Sequence, residues 1–453
     1  MFFSTLKLKI KMNKISSLTR CCLLVVSVFS SAINVTAQTN PKLSAKLDQQ
    51  AKEMEAKVIE WRRQFHQFPE LSNREFKTGA KIAEYLKSLG LEVKYPVAKT
   101  GAIGILRTGK PGPTIALRAD IDGLPVVERN ALPFASKEKS EYLGQSVGVM
   151  HACGHDTHIA ILMGVAEILT KMKSELKGTI VFLFQPAEEG APAGEEGGAA
   201  LMIKEGALDN PKVEAAFGLH ISSLTPVGTL TYRPEGMMAS VDQLNIKVIG
   251  RQTHGAAPWN GVDPIVVSAQ IINALQTIVS RKLEITNAAA VVTIGKINGG
   301  VRNNIIPESV EMAGTIRTLD DKMQVQVHES IRSIAENTAK GMGAKAEVEI
   351  IKGYPVTYND PKLTAWALPT LERVAGKDHV KLIPAVTGAE DFSFFAQKVP
   401  GFFFFVGGMP LNADPSKTSA HHTPDFYIDE SGMLTGLKAM LNVVVDYLNK
   451  PLK

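Results

Sequence analysis

Four apolar runs set the main constraint on how this chain can fold: PTIALRAD at 113–120, GTIVFLFQP at 178–186, EAAFGLHI at 214–221 and GFFFFVGG at 401–408. Each is short and bounded by glycine, proline or a charged residue, so all four read as strands buried in a sheet. GAIGILRT at 101–108 reads the same way. Helical patterns lie between them. Residues 45–90 predict two helices, the first broken at Pro69 and the second closed by Gly90. From 156 onward, apolar residues at 159, 162, 165, 166 and 169 form one helix face, with Asp156 as the expected N-cap. Further helices are expected near 361–375 and over EDFSFFAQKV at 390–399. Strands alternating with helices indicate the α/β class, in which sites form at strand ends.

The rhythm restarts between about 233 and 350. VDQLNIKVIG is a strand, 262–281 a helix, AAAVVTIGKING and SVEMAGTIRTL two strands, 321–341 a helix and AKAEVEII a last strand. That β-α-β-β-α-β order matches the ferredoxin-like arrangement. A small unit is therefore expected inside a larger one, and 453 residues are long for a single core. The expected division is a leader at 1–37, an α/β domain in two parts at 38–232 and 351–453, and the insert at 233–350.

In the leader, Lys7, Lys9, Lys11, Lys14 and Arg20 precede the apolar run CCLLVVSVFSSAINV, and no acidic residue occurs before position 38. This is the pattern of a secretory signal peptide cleaved after Ala37, with Met12 as an alternative start. The run of 15 residues is shorter than the ~20 needed to span a bilayer. A secreted or periplasmic protein without a stable membrane span is expected, an uncleaved anchor being the alternative. The leader also accounts for the net charge of +5, because it holds five of the 50 Lys and Arg and none of the 45 Asp and Glu. The balanced remainder argues against nucleic acid or an anionic membrane as partner. Cys21 and Cys22 leave with the leader, so Cys153 alone remains and cannot form an internal disulfide.

Cys153 stands in VMHACGHDTH at 149–158, where three of the ten histidines, a cysteine and an aspartate share ten positions. Gly154 frees the backbone to turn Cys153 and His155 towards one point just before a helix. Thiolate and imidazole suit a borderline-soft divalent ion. A Cys/His nucleophile pair or a loop cluster of structural histidines would fit the same ten residues. FLFQPAEEG adds Glu188 and Glu189 just beyond a buried strand. Neighbouring side chains there point differently, so one carboxylate could bind metal while the other acts as a base. Two solvated loop glutamates are the alternative. His220 ends the apolar AFGLH, and His422 lies in SAHHTPDF. Together, five ligand-type residues at strand ends favour a metal centre. Asp120 and Asp122 either orient ligands from behind or cap turns. His158 and Asp391 are read as helix-start residues, and His151 and His421 as near the site without ligating.

The segments HQFPELSNREFKT, LRADIDGLP, MHACGHDTH, FQPAEEG, GLH, GVDPI, GAEDFSFF and HHTPDF occur in this order along nearly the whole chain after the leader. They resemble the metal-dependent amidohydrolase family of hippurate hydrolases, N-acyl-amino-acid deacylases and indoleacetyl-amino acid hydrolases, within the aminoacylase and carboxypeptidase G superfamily. The resemblance implies an α/β, metallopeptidase-like mixed-sheet catalytic domain holding two divalent metal ions (zinc, manganese, cobalt or nickel). It also implies an inserted ferredoxin-like α+β lid domain that commonly forms a homodimer. It places the metal ligands on Cys153, His155, Glu189, His220 and His422, and the general base on Glu188. GRQTHGAAP puts a substrate-contacting histidine on His254, although Gln252 and Thr253 stand where the family more often has two glycines. Asn304 in NNIIP and Arg317 in GTIRT match lid positions near substrate.

The implied reaction is hydrolysis of the amide bond of an N-acyl amino acid or small dipeptide by metal-activated water. Glu188 would take the water proton and give it to the leaving amine, and His254 would complete the oxyanion site on lid closure. One competitor makes Cys153 a nucleophile with His155 or His151 as base, which leaves Glu188, Glu189, His220 and His422 idle. The other is a non-catalytic periplasmic metal or peptide binder, which has no use for a base.

Overall fold

The computed structural model describes residues 40–452, so the expected signal peptide, with Cys21 and Cys22, lies outside the described residues. Among these, an eight-stranded sheet is the spine. Its order is Glu92–Val97, Gly101–Arg107, Thr179–Gln185, Thr114–Asp120, Ala215–Pro226, Gly401–Met409, Leu230–Tyr232 and Val380–Leu382. The four strands from Thr179–Gln185 to Gly401–Met409 run parallel, and their outer neighbours pair antiparallel to them, so the sheet is mixed.

The apolar runs are unbroken because both faces of these strands are covered. Phe182, Phe184, Phe217, Phe402 and Phe404 pack in the core that includes the helices Pro41–Gln67, His155–Lys171 and Gly432–Asn449. The alternate residues Val181, Leu183, Ala216 and Phe403 pack on the other face, with the helices Gly198–Lys204 and Phe392–Ala396. Every residue from His155 to Leu169 is buried, so this helix is enclosed on all sides rather than along one face.

Two local expectations are corrected. Gly154, not Asp156, is the N-cap of His155–Lys171. Asp156 is buried in the first turn, 2.8 Å from Arg62 Nε and 2.9 Å from His66 Nδ1, so its carboxylate serves an ion pair between helices instead of a cap. EDFSFFAQKV forms only the short helix Phe392–Ala396, because Glu390 and Asp391 are drawn to the buried Arg118 guanidinium. The sequence reading does not anticipate the helix Gly432–Asn449 or the hairpin of Lys139–Tyr142 and Gln145–Gly148.

The insert follows the expected order: Asp242–Ile249, helix Pro264–Thr277, Ala290–Gly299, Ser309–Thr318, helix Asp321–Gly341 and Lys345–Lys352. Its strands pair antiparallel in the order Ala290–Gly299, Ser309–Thr318, Asp242–Ile249, Lys345–Lys352, as in a ferredoxin-like unit. Leu244, Ile246 and Val248 alternate into a core of its own, while Gln243, Asn245 and Lys247 line the open face. No helix among the described residues is long and apolar enough to cross a membrane.

Candidate metal centre

The site is assembled where the central strands end. Thr114–Asp120 delivers Asp120 and, two residues on, Asp122; Thr179–Gln185 is followed by Glu188 and Glu189; His220 lies in Ala215–Pro226; and the loop after Gly401–Met409 brings His421 and His422. Cys153 and His155 arrive at the start of the buried helix. Gly154 between them has φ 93°, and a Cβ there would lie 2.3 Å from Ile221 Cγ2, so no other residue lets the chain pass.

The five expected ligand positions converge. Cys153 Sγ is 3.4 Å from His220 Nε2 and 3.3 Å from His422 Nε2. Glu189 Oε1 is 3.1 Å from His422 Nε2 and 3.8 Å from His155 Nε2. Glu188 Oε2 stands 3.7 Å from the same His155 nitrogen. His155 Nδ1 donates to Asp122 O at 2.9 Å, and His220 Nδ1 to Ile221 O at 2.5 Å. A carbonyl only accepts, so Nδ1 carries a proton in each ring, and Nε2 is the nitrogen left to ligate a cation in the cluster. His155 Nε2 is buried and has no hydrogen-bond partner among the described residues, a costly arrangement that a divalent cation against it removes. Burial pushes the Cys153 thiol up, and Glu189, Glu188 and Asp120 push it further, so a thiolate there requires a neighbouring cation. The donor set therefore fits divalent metal.

His421 sits beside His422 but is used differently. Its Nε2 accepts from Ser223 N at 3.2 Å, so Nδ1 carries the proton and donates to Cys153 O at 3.2 Å. Both nitrogens are taken by backbone, although Nδ1 is also 3.7 Å from Cys153 Sγ. The ring lines the site without offering a free lone pair.

A family model described as peptidase family M20/M25/M40 matches residues 116–446. The chain belongs to peptidase family M20/M25/M40. It is similar to thermostable carboxypeptidase 2 of Saccharolobus solfataricus strain P2, 40% identical over 410 residues covering 90% of this chain and 100% of that protein. It is also similar to the N-acetyl-L-cysteine deacetylase of Bacillus subtilis strain 168, 39% identical over 383 residues, 84% of this chain and 86% of the relative. The crystal structure of a dinuclear metal-binding M20 peptidase from Bacillus subtilis superposes with a TM-score of 0.73 at 35% identity, covering 88% of this chain and 99% of that one. The chain is thus an M20 hydrolase acting on amide bonds.

Behind the expected ligand positions of this M20 enzyme, Asp122 acts as a hub. Its Oδ1 accepts from His155 Nδ1 at 3.2 Å and Glu188 N at 3.1 Å, and its Oδ2 from Ser72 Oγ at 2.7 Å and Glu189 N at 3.0 Å. One carboxylate thus orients the His155 ring and the backbone of both acids. Asp122→Asn is expected to weaken metal binding by about 10–100-fold. Competition with a coloured chelator measures it, and unchanged affinity would remove Asp122 from this role.

Asp120 accepts from Arg118 Nη1 at 2.5 Å and from His158 Nδ1 at 2.6 Å, and lies 3.8 Å from His155 Nδ1. His158 Nε2 in turn accepts from Ile221 N at 2.8 Å, next to His220. His158 is therefore more than a helix-start residue: it links Asp120 to the backbone beside His220. Arg118, fully buried, holds Glu390 at 2.9 Å, Asp391 at 2.7 Å and Gln185 at 2.8 Å. Asp391 does stand at the start of the helix Phe392–Ala396, but its side chain makes no cap bond there and instead serves the arginine and accepts from Ala199 N at 2.8 Å. Sequence reasoning missed this network, although an arginine inside the apolar TIALRAD was a usable signal.

The insert residues divide. Arg317 lines the cavity of about 640 Å³ that contains Cys153, Glu188, Glu189 and His220. Its Nε donates to Thr315 Oγ1 at 3.2 Å, and it forms no ion pair among the described residues. His254 and Asn304 lie elsewhere, side by side: Thr253–His254 pairs with Ile305–Ile306, and Asn304 O accepts from Gly255 N at 2.8 Å. Both are exposed and outside that cavity.

Proposed function

We propose that this M20 enzyme hydrolyses the amide bond of N-acyl amino acids or small dipeptides with metal-activated water, using Glu188 as general base. The convergence of Cys153, His155, Glu189, His220 and His422, with Glu188 as a further carboxylate facing the same space, carries this reading. Two divalent ions held by those five residues, whether zinc, manganese, cobalt or nickel, would acidify water and polarise a carbonyl. The carboxylate of Glu188 takes the proton of the attacking water and delivers it to the leaving nitrogen. Burial, with Glu390 and Glu189 nearby, raises its proton affinity, which suits a base that must next act as an acid. Arg317 offers its unpaired charge to the substrate carboxylate. Similarity to a carboxypeptidase and to a deacetylase of an N-acyl amino acid supports this substrate class.

His254, with Asn304 beside it, has to reach the substrate by movement of the insert or from a second copy in a homodimer formed through the insert. His254→Ala is expected to lower kcat and kcat/KM together by roughly 10² or more, as loss of an oxyanion donor does. A change in KM alone would assign it to substrate holding. Export to the periplasm or beyond belongs to the same proposal and rests on the leader; purified protein beginning at Gln38 would support it. The function itself is tested by incubating metal-reconstituted protein with acetyl-, benzoyl- and indoleacetyl-amino acids and dipeptides and detecting released amine by mass. Metal-loaded protein that releases none would sink the reading.

A further inference from the structure

Glu189 lines two cavities. One holds Arg317. The other, of about 350 Å³, lies across Glu189 and is walled by Leu71, Leu124 and Pro192, and by Tyr142 and Leu143 from the tip of the hairpin. That tip is unfavourable on its own terms. Tyr142 pairs with Gln145, so Leu143 and Gly144 make a two-residue turn with φ values of 50° and 75°. Such a turn favours Asn-Gly or Asp-Gly, and leucine strains the first position. Leu143 is also 79% exposed and Tyr142 43% exposed. Neither feature helps the hairpin to form, yet both put apolar surface along a cavity that shares Glu189 with the cluster.

The charges along this wall are equally uneven. Arg74 is neutralised by Glu195, with Nη2 and Oε1 2.6 Å apart. Glu141 lines the cavity and has no ion-pair partner among the described residues. The wall therefore offers no unpaired cation to a second carboxylate and opposes one with Glu141.

We infer that the cavity under the hairpin is the acyl-group subsite, and that Tyr142 and Leu143 make it selective for uncharged, apolar acyl groups. The inference rests on the amide-hydrolase reading above. With the substrate carboxylate at Arg317 and the scissile amide at Glu188 and Glu189, the second cavity that Glu189 lines is the space assigned to the acyl chain.

The test uses Leu143→Asn, which suits the left-handed position and so preserves the turn while removing the apolar side chain, together with Tyr142→Ala. For the double variant, kcat/KM on N-octanoyl and N-phenylacetyl amino acids is expected to fall about tenfold, and on the N-acetyl form of the same amino acid by less than about twofold. Wild type should discriminate against N-succinyl substrates, whose acyl group carries a carboxylate. A readout independent of turnover is calorimetric titration of metal-loaded protein with the free acids. Wild type should bind octanoate and phenylacetate more tightly than acetate, and the double variant should lose that preference. Equal binding of acetate and octanoate by wild type, an equal loss on all acyl groups, or a change only in the choice of amino acid would overturn the assignment. A wild type that prefers larger acids but hydrolyses no amide would count against the proposed function and support the subsite.

Discussion

Glu188→Gln is expected to lower kcat by about 10³-fold, within the range for loss of a general acid-base group, while leaving both metal ions in place. Glutamine keeps the shape of the side chain and removes only its ability to take a proton. The surroundings favour a clean outcome, because Tyr354 Oη donates to the backbone carbonyl of Glu188 at 2.7 Å and Asp122 accepts its backbone N–H at 3.1 Å. Neither contact involves the substituted group. Glu189→Gln is expected to behave oppositely, losing metal first, since Glu189 Oε1 faces His422 Nε2 at 3.1 Å. Metal analysis of both purified variants beside their kinetics separates the roles. Equal metal loss in the two would reverse the division of labour.

The second large effect concerns Cys153. The metal-loaded enzyme is expected to resist alkylation, and chelator-treated enzyme to react, at a rate that climbs with pH. The climb follows from the site itself, where burial and then the carboxylates of Glu189, Glu188 and Asp120 raise the thiol above its ordinary value. A cysteine nucleophile needs the reverse, a thiol lowered by a neighbouring cation or base. Cys153→Ala should lose metal affinity by more than the ~10–100-fold typical of an outer partner. Cys153→Asp should recover part of the activity when metal is added, since a carboxylate ligates but cannot form a thioester. Fast modification of the fully loaded protein, together with an inactive Cys153→Asp at every metal concentration, would restore the nucleophile reading.

The residues that carry these tests are legible in the sequence. Unbroken apolar runs such as TIVFLFQ and GFFFFVGG are local properties of strands covered on both faces, and the period-two pattern of QLNIKVI is local to a strand covered on one. Ligand-type residues placed just past such runs, Glu188 and Glu189 above all, could therefore be assigned to strand ends by counting. The α/β layer and the inserted β-α-β-β-α-β unit follow from the sequence on this basis, whereas the roles expected of the ligand positions and of Glu188 come from the family resemblance.

Tertiary structure decided what each polar group faces. The sequence shows His421 and His422 as a doublet; only the fold gives both nitrogens of His421 to the backbone of Ser223 and Cys153 and points His422 Nε2 at Glu189. Asp156 looks like a cap until Arg62, on another helix, takes its carboxylate. Arg118 and Asp391 become partners across 273 residues. Arg317 comes to the cavity of the cluster, while His254 and Asn304 of the same insert do not. The physical reason is common to all of these. Covering a face depends on a residue's own apolarity and position in a period, whereas a hydrogen bond or ion pair depends on a partner that local sequence does not name.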